Sequence, residues 1–145
     1  MRQQEISGIN GIIKVEVTKT ANARQIKNLY KEAGWWEEND NTDPDLIDKI
    51  LQGSFCFAVA SINNNVIGMG RAISDGASDA YIQDVVVSND FRGKGIAVLI
   101  MDELIDFLKS KNINWIALIS EPKAASFYER YGFTNMKNYV PFRLE

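Results

Sequence analysis

The chain has 145 residues, which is enough for one domain burying roughly two-thirds of its unfolded surface. It is 46% hydrophobic and 24% charged with a formal net charge of -3, so no basic field is available to hold nucleic acid, and the mild acidity favours a cationic or amine substrate. The absence of histidine removes Ser-His-Asp and Cys-His systems and the commonest metal ligand, while the single cysteine excludes an internal disulfide and a cysteine-rich zinc site.

In chain order, Met1-Arg2-Gln3-Gln4-Glu5 does not read as the start of a signal peptide, and no apolar run approaches the roughly 20 residues needed to span a bilayer. A cytoplasmic protein with no membrane contact is the expectation. Residues 12–18 form a β-branched strand pattern, followed by Ala23 to Ala33 with Ile26, Leu29, Tyr30 and Ala33 at helical spacing before Gly34. A loop, Gly34-Trp35-Trp36-Glu37-Glu38-Asn39-Asp40, leads to a second helix expected to start at Asp43-Pro44, with Asp43 as its cap. Phe55 to Ile62 and Val66 to Ile73 predict two strands joined by Asn63-Asn64-Asn65, and Cys56 lies in the first of them as a buried structural thiol. Gly68-Met69-Gly70 within the second marks a bulge or close packing.

Ala80 to Val87 is a fourth strand, almost wholly apolar at its end. From Gly95 to about Lys111 a helix shows one apolar stripe through Ile96, Leu99, Ile100, Leu104 and Leu108. Trp115 to Ile119 reads as a further buried strand, and Ser120-Glu121-Pro122 opens a helix closed by Gly132. The tail from Phe133 to Phe142 is expected to supply one or two edge strands. This order predicts a mixed α/β sandwich of residues 1–145 around a central sheet.

The chemistry concentrates where the fourth strand meets the next helix, at Arg92-Gly93-Lys94-Gly95-Ile96-Ala97. A helix start leaves backbone N–H groups unpartnered and partly positive, and glycines let a ligand approach the backbone. With Arg92 and Lys94 adding charge, this is a seat for a phosphate or pyrophosphate. The P-loop and dinucleotide glycine patterns are both absent, so a nucleotide-triphosphate or kinase reading is remote.

The segment Val87-Ser88-Asn89-Asp90-Phe91-Arg92-Gly93-Lys94-Gly95-Ile96 resembles the acetyl-CoA motif of the GNAT superfamily of N-acetyltransferases, matched at Arg92, Gly95 and Ala97. Ala124-Ala125-Ser126-Phe127-Tyr128-Glu129-Arg130-Tyr131-Gly132-Phe133 is similar to the second signature of the same family. The resemblance implies a three-layer α/β sandwich with about four helices. Its central sheet is mixed but mostly antiparallel, with six to seven strands and a splay between the fourth and fifth predicted strands. It further implies acetyl-CoA as co-substrate, with no metal, and transfer to a primary amine of a small molecule or peptide by direct attack in a ternary complex. Val85, Val86 and Val87 would meet the pantetheine and acetyl group, and Arg92, Gly93, Lys94, Gly95, Ile96 and Ala97 the pyrophosphate. Tyr128 would protonate the departing thiolate and contact the cofactor. Relatives often carry Asn where Glu121 stands, which leaves that pantetheine contact open.

Without histidine, a carboxylate or a water relay must accept the amine proton. Asp84 is the first candidate, although it suits a structural hydrogen-bond role equally well; Glu37, Glu38, Asp75 and Tyr81 follow. Tyr30, Trp35, Trp36 and Glu37 are expected to form the acceptor pocket, since an aromatic wall beside carboxylates suits an amine. One of the two tryptophans is also placed to close the core beneath the loop. A non-catalytic acyl-CoA-binding sensor is the alternative from another class. A homodimer through an apolar C-terminal strand, Tyr139-Val140-Pro141-Phe142, is a further expectation.

Overall fold

A computed structural model describes residues 1–39 and 41–145. Asp40, the end of the expected acceptor loop, lies outside the described residues. The six strands are β1 (Arg2–Glu5), β2 (Ile12–Val17), β3 (Cys56–Ile62), β4 (Asn65–Ile73), β5 (Asp79–Val87) and β6 (Trp115–Leu118). They form one sheet in the order β1-β2-β3-β4-β5-β6, antiparallel throughout except for the parallel β5–β6 pair. The helices are α1 (Ala23–Glu32), α2 (Leu46–Gly53), α3 (Ile96–Ser110) and α4 (Ala125–Tyr131).

Strand alternation sends side chains to two separate apolar layers, one on each face of the sheet. On one face Ile13, Val15, Ala58, Ala60 and Ile82 pack with Ile96, Ile100, Leu104 and Leu108 of α3. On the other, Phe57, Val59, Met69 and Val86 pack with Ile26, Leu29 and Tyr30 of α1 and with Ile47 and Leu51 of α2. The result is a three-layer sandwich of helix, sheet and helix. Cys56 is buried within the first layer, where desolvation pushes its thiol up to about 12.

Gly68 and Gly70 are the close-packing points that let α3 lie on the sheet. A Cβ at Gly68 would sit 2.9 Å from Ile100 Cδ1, and one at Gly70 would sit 3.0 Å from Ile100 Cγ2 and 3.1 Å from Leu104 Cδ1. Substituting Gly70 by Val should therefore overpack the layer and cost about 1–3 kcal/mol, measured by urea unfolding. Ile100→Ala opens a cavity at the same contact and should cost about 2–5 kcal/mol.

Two turns follow their residues closely. Asn63 and Asn64 take φ of 49° and 63°, giving the two-residue hairpin loop that pairs Ile62 with Asn65. The other is a bulge: Met69 pairs with Val86 and Arg71 with Gln83, so Asp84 and Val85 together oppose Gly70. Asp84 carries the positive φ there, at 57°.

Several expectations are corrected. The polar edge strand β1 has no apolar alternation to announce it, yet it pairs with β2 from Arg2↔Val15 to Glu5↔Ile12. Helix α2 begins at Leu46, because the Asp43 side chain accepts from the Asp45 N–H and holds residues 43–45 in a turn instead of capping the helix. Strand β6 is an edge strand with Trp115 exposed, since among the described residues no further strand covers its outer side. The tail after Gly132 forms no strand, and Tyr139, Val140, Phe142 and Leu144 stand exposed. Among the described residues, no helix is long and apolar enough to cross a membrane.

Candidate active site

Strands β5 and β6 pair only from Asp79↔Trp115 to Ile82↔Leu118. Beyond Ile82 the two separate, leaving the β6-facing backbone edge of residues 83–87 without a strand partner. This splay, at the bulge, opens a cleft of about 360 Å³ lined by Asp84, Val85, Val86, Val87, Arg92 and Ala97 on one side and by Glu121, Phe127 and Tyr128 on the other. Glu32, Ala33 and Trp35 contribute from the end of α1 and the loop after it.

At one end lies the start of α3. Gly93 and Gly95 take φ of 73° and 81°, a region that costs other residues strain, and a Cβ at either would meet no atom within 4 Å. The space over the turn is open. Gly95 caps α3 without a side-chain hydrogen bond, and the first turn holds no acidic residue. The positive end of a 15-residue helix stands behind this turn. Arg92 Nε donates to the Val87 carbonyl at 3.0 Å, tying the turn to the end of β5. Lys94 is half-buried, with Nζ near Gly8 of the β1–β2 connection, while Ile96 is fully buried and anchors the turn in the core.

Tyr128 stands on α4 at the other wall, edge-on to Phe127 at 5.1 Å and to Phe133 at 6.0 Å. Its hydroxyl makes no hydrogen bond to a described residue. Burial first, and the Glu121 charge second, raise its pKa above the ordinary 10 for a phenol. Opposite, the Asp84 carboxylate accepts from Tyr30 Oη at 2.7 Å and from Arg71 Nε at 2.6 Å, both on Oδ2. Its other oxygen, Oδ1, accepts nothing from the described residues.

The expected acceptor residues divide. Trp35 lines the cleft, and its indole N–H donates to Glu121 Oε1 at 3.2 Å, a contact bridging the loop after α1 to the segment after β6. That bond, together with Lys123, holds the Glu121 carboxyl below the usual carboxylate range. Trp36 instead packs on the α1–α2 layer under Lys27 Nζ, 5.3 Å from its ring centre, and is the tryptophan that closes the core. Tyr30 is only 5% exposed and does not line the cleft; it stands behind it, bonded to Asp84 and edge-on to Trp35 at 6.3 Å. Glu37 is exposed and does not line the cleft; Glu38 pairs with Lys27 and Lys31. Asp75 accepts from the Ala77 N–H in a turn, and Tyr81 stacks edge-on with Trp115 on an exposed part of the sheet.

One residue of the cleft and one behind it escaped the sequence reading. Glu32, the last residue of α1, binds Ser88 Oγ and the Asn89 N–H at the end of β5. Its helical position looks like an ordinary solvated face, and no local signal marks it. Arg71 is the partner of Asp84, and a lone cation inside an apolar strand could have flagged it.

Tyr30, Tyr128 and Tyr131 all have raised pKa values, led in each case by burial, with Asp84, Glu121 and Asp102 respectively the nearby charges. Neutral phenols are thus favoured in the folded state. The stability linked to them is full below the unfolded value of about 10 and is lost as pH rises through the folded values. A titration followed at 295 nm should show these three ionising late, together with alkaline unfolding.

Sequence comparison places this arrangement among known proteins. Residues 10–133 match the acetyltransferase (GNAT) family. An uncharacterised N-acetyltransferase from the red alga Porphyra purpurea is 32% identical over 121 residues, covering 80% of this chain and 67% of its own length. A counterpart from Gracilaria tenuistipitata is 30% identical over 112 residues, covering 77% of this chain, and the chain spans 62% of that relative's length. A solved GNAT-family acetyltransferase from Streptococcus pneumoniae superposes with a TM-score of 0.72 at 22% identity, over 92% of this chain and 96% of that one, and so shares the fold. The open turn at α3, the splayed strands and these matches agree: the chain belongs to the GNAT acetyltransferase family.

Proposed function

We propose that this chain transfers the acetyl group of acetyl-CoA to an amine by direct attack within a ternary complex. The observation that carries this reading is the cleft itself, which brings the open start of α3, an unpaired strand edge, Asp84 and Tyr128 to one space. The α3 start and Arg92 would hold the pyrophosphate, and the residue 83–87 edge would run along the pantetheine arm. Backbone N–H groups of that edge can meet the carbonyl oxygen as charge develops on it.

The amine nitrogen forms its bond to the acetyl carbon as the carbon–sulfur bond breaks. Tyr128 gives its hydroxyl proton to the departing sulfur and recovers one from solvent. Its raised pKa keeps the proton in place at neutral pH, where donation is needed. Asp84 accepts the proton lost by the nitrogen, directly or through water, using the free Oδ1. Trp35, Glu32 and Glu121 wall the opposite part of the cleft, and an aromatic face between carboxylates suits a cationic amine.

A thiol-release assay over a panel of arylalkylamines, polyamines, amino sugars and lysine peptides tests the reading. Turnover with at least one amine is the expected result. Acetyl-CoA binding with no turnover on the whole panel would leave the acyl-CoA sensor as the better account. A homodimer through the exposed tail is also proposed, resting on the unpaired outer edge of β6 and the exposed Tyr139, Val140, Phe142 and Leu144. Sedimentation showing a dimer in the intact chain, and monomer after Phe142→Ser with Leu144→Ser, is expected; monomer at all concentrations would remove it.

A further inference from the structure

Asp84 is held in an unusual way for a surface-cleft carboxylate. Its backbone takes a left-handed φ of 57°, inside a strand where an extended conformation is the easier one. Asp tolerates this region better than most residues but still at a cost in backbone strain. Something must hold it there. The strongest contact is Arg71, whose Nε lies 2.6 Å from Oδ2 with both side chains mostly shielded, at 16% and 23% exposure.

Arg71 is itself fixed at two further points. Its Nη1 donates to Ser54 Oγ at 3.4 Å, and its Nη2 donates to Gln83 Oε1 at 3.3 Å. Ser54 is buried and in turn donates to the Ile50 carbonyl at 2.6 Å, so the guanidinium is braced against the end of α2. Tyr30 completes the clamp from α1, donating to the same Oδ2. Among the described residues all donation falls on one oxygen, and the other accepts none. A planar guanidinium with several fixed donors sets direction as well as charge, which an ammonium does not.

We infer that Arg71 is a positioning residue for acetyl transfer: braced by Ser54 and Gln83, it holds Asp84 in the strained bulge with Oδ1 presented to the incoming amine. This rests on the reading of Asp84 as proton acceptor given above. Arg71 does not line the cleft and touches no reactant, so its effect passes wholly through Asp84. That gives the inference a signature no general structural role has, namely coupling to Asp84 alone.

The test is a cycle of four proteins: the unaltered chain, Arg71→Met, Asp84→Asn and the double variant. Each is assayed with the best amine of the panel in single turnover with enzyme in excess, so that slow variants stay readable. Arg71→Met should lower the rate about 100-fold through misplacement of the acceptor oxygen, with the acetyl-CoA dissociation constant within threefold of its starting value. In the Asp84→Asn background the same change should cost no more than about twofold, the non-additivity expected of residues that act as a unit. Arg71→Lys should recover part of the loss, since its ammonium reaches Asp84 without spanning Ser54 and Gln83. Should Arg71→Met fail to fold, Arg71→Gln, which keeps donors and drops the charge, takes its place in the cycle.

An undiminished loss in the Asp84→Asn background would overturn the inference, as would acetyl-CoA affinity falling in step with the rate, or Lys performing no better than Met. Those outcomes leave the transferase reading standing. No turnover by the unaltered chain would overturn the transferase reading itself, and this inference with it.

Discussion

Replacing Tyr128 by Phe should lower kcat by about 100- to 1000-fold, within the usual range for loss of a general acid, while acetyl-CoA binds as before. The ring stays, so its edge contacts with Phe127 and Phe133 survive, and only the hydroxyl goes. Because that hydroxyl has no protein hydrogen-bond partner among the described residues, its removal strands no buried group and should shift the melting temperature little. Stopped-flow thiol release, with a parallel titration of acetyl-CoA, separates the two effects. A fall in affinity equal to the fall in kcat would mean that Tyr128 binds but does not donate. Glu121→Gln probes the same phenol from the other side. It removes the second cause of the raised Tyr128 pKa, so the alkaline fall in activity should move to lower pH.

The second large effect is expected at Gly95. Its φ of 81° is strained for any residue with a Cβ, and most of all for a β-branched one, yet a Cβ would meet no protein atom within 4 Å. Gly95→Val should therefore cost only about 1–2 kcal/mol of stability, through backbone strain, while placing its methyl groups in the space proposed for the pyrophosphate. Acetyl-CoA affinity is expected to fall by more than tenfold, about 1.4 kcal/mol or more, with the helix content of the circular dichroism spectrum unchanged. Equal losses at Gly95 and at a glycine away from the cleft such as Gly76, which takes the same φ of 81° in the β4–β5 turn, would show that only strain was being read.

Local chemistry made much of this molecule legible. The Asn63-Asn64 turn, the end of α1 before Gly34, the cap of α4 at Gly132 and the glycines of the α3 turn are each dictated by a few neighbouring residues. The Gly68-Met69-Gly70 stretch announces close packing, but only the fold reveals that Ile100 and Leu104 fill the space above it. Non-local partnerships stayed hidden. Nothing beside Asp84 in sequence indicates Arg71, 13 residues earlier, or Tyr30, 54 residues earlier, because the bulge that unites them depends on register between strands. Likewise Trp35 and Trp36 are indistinguishable as a dipeptide. The direction in which the chain leaves α1 sends one to the cleft and the other to the α1–α2 layer. The tail misled for the reverse reason. Its apolar Tyr139-Val140-Pro141-Phe142 reads as an edge strand, but hydrogen-bonded strands need a partner edge, and here the segment is no part of the sheet.

The claim on which the rest depends is that the cleft between β5 and β6 seats acetyl-CoA through the turn at the start of α3. Isothermal titration of the intact chain with acetyl-CoA tests it most directly, run beside Gly95→Val and at two salt concentrations. Binding of one acetyl-CoA per chain, weakened by Gly95→Val and by added salt as a phosphate seat requires, is the predicted result. No heat at millimolar acetyl-CoA, or binding that Gly95→Val leaves untouched, would contradict it.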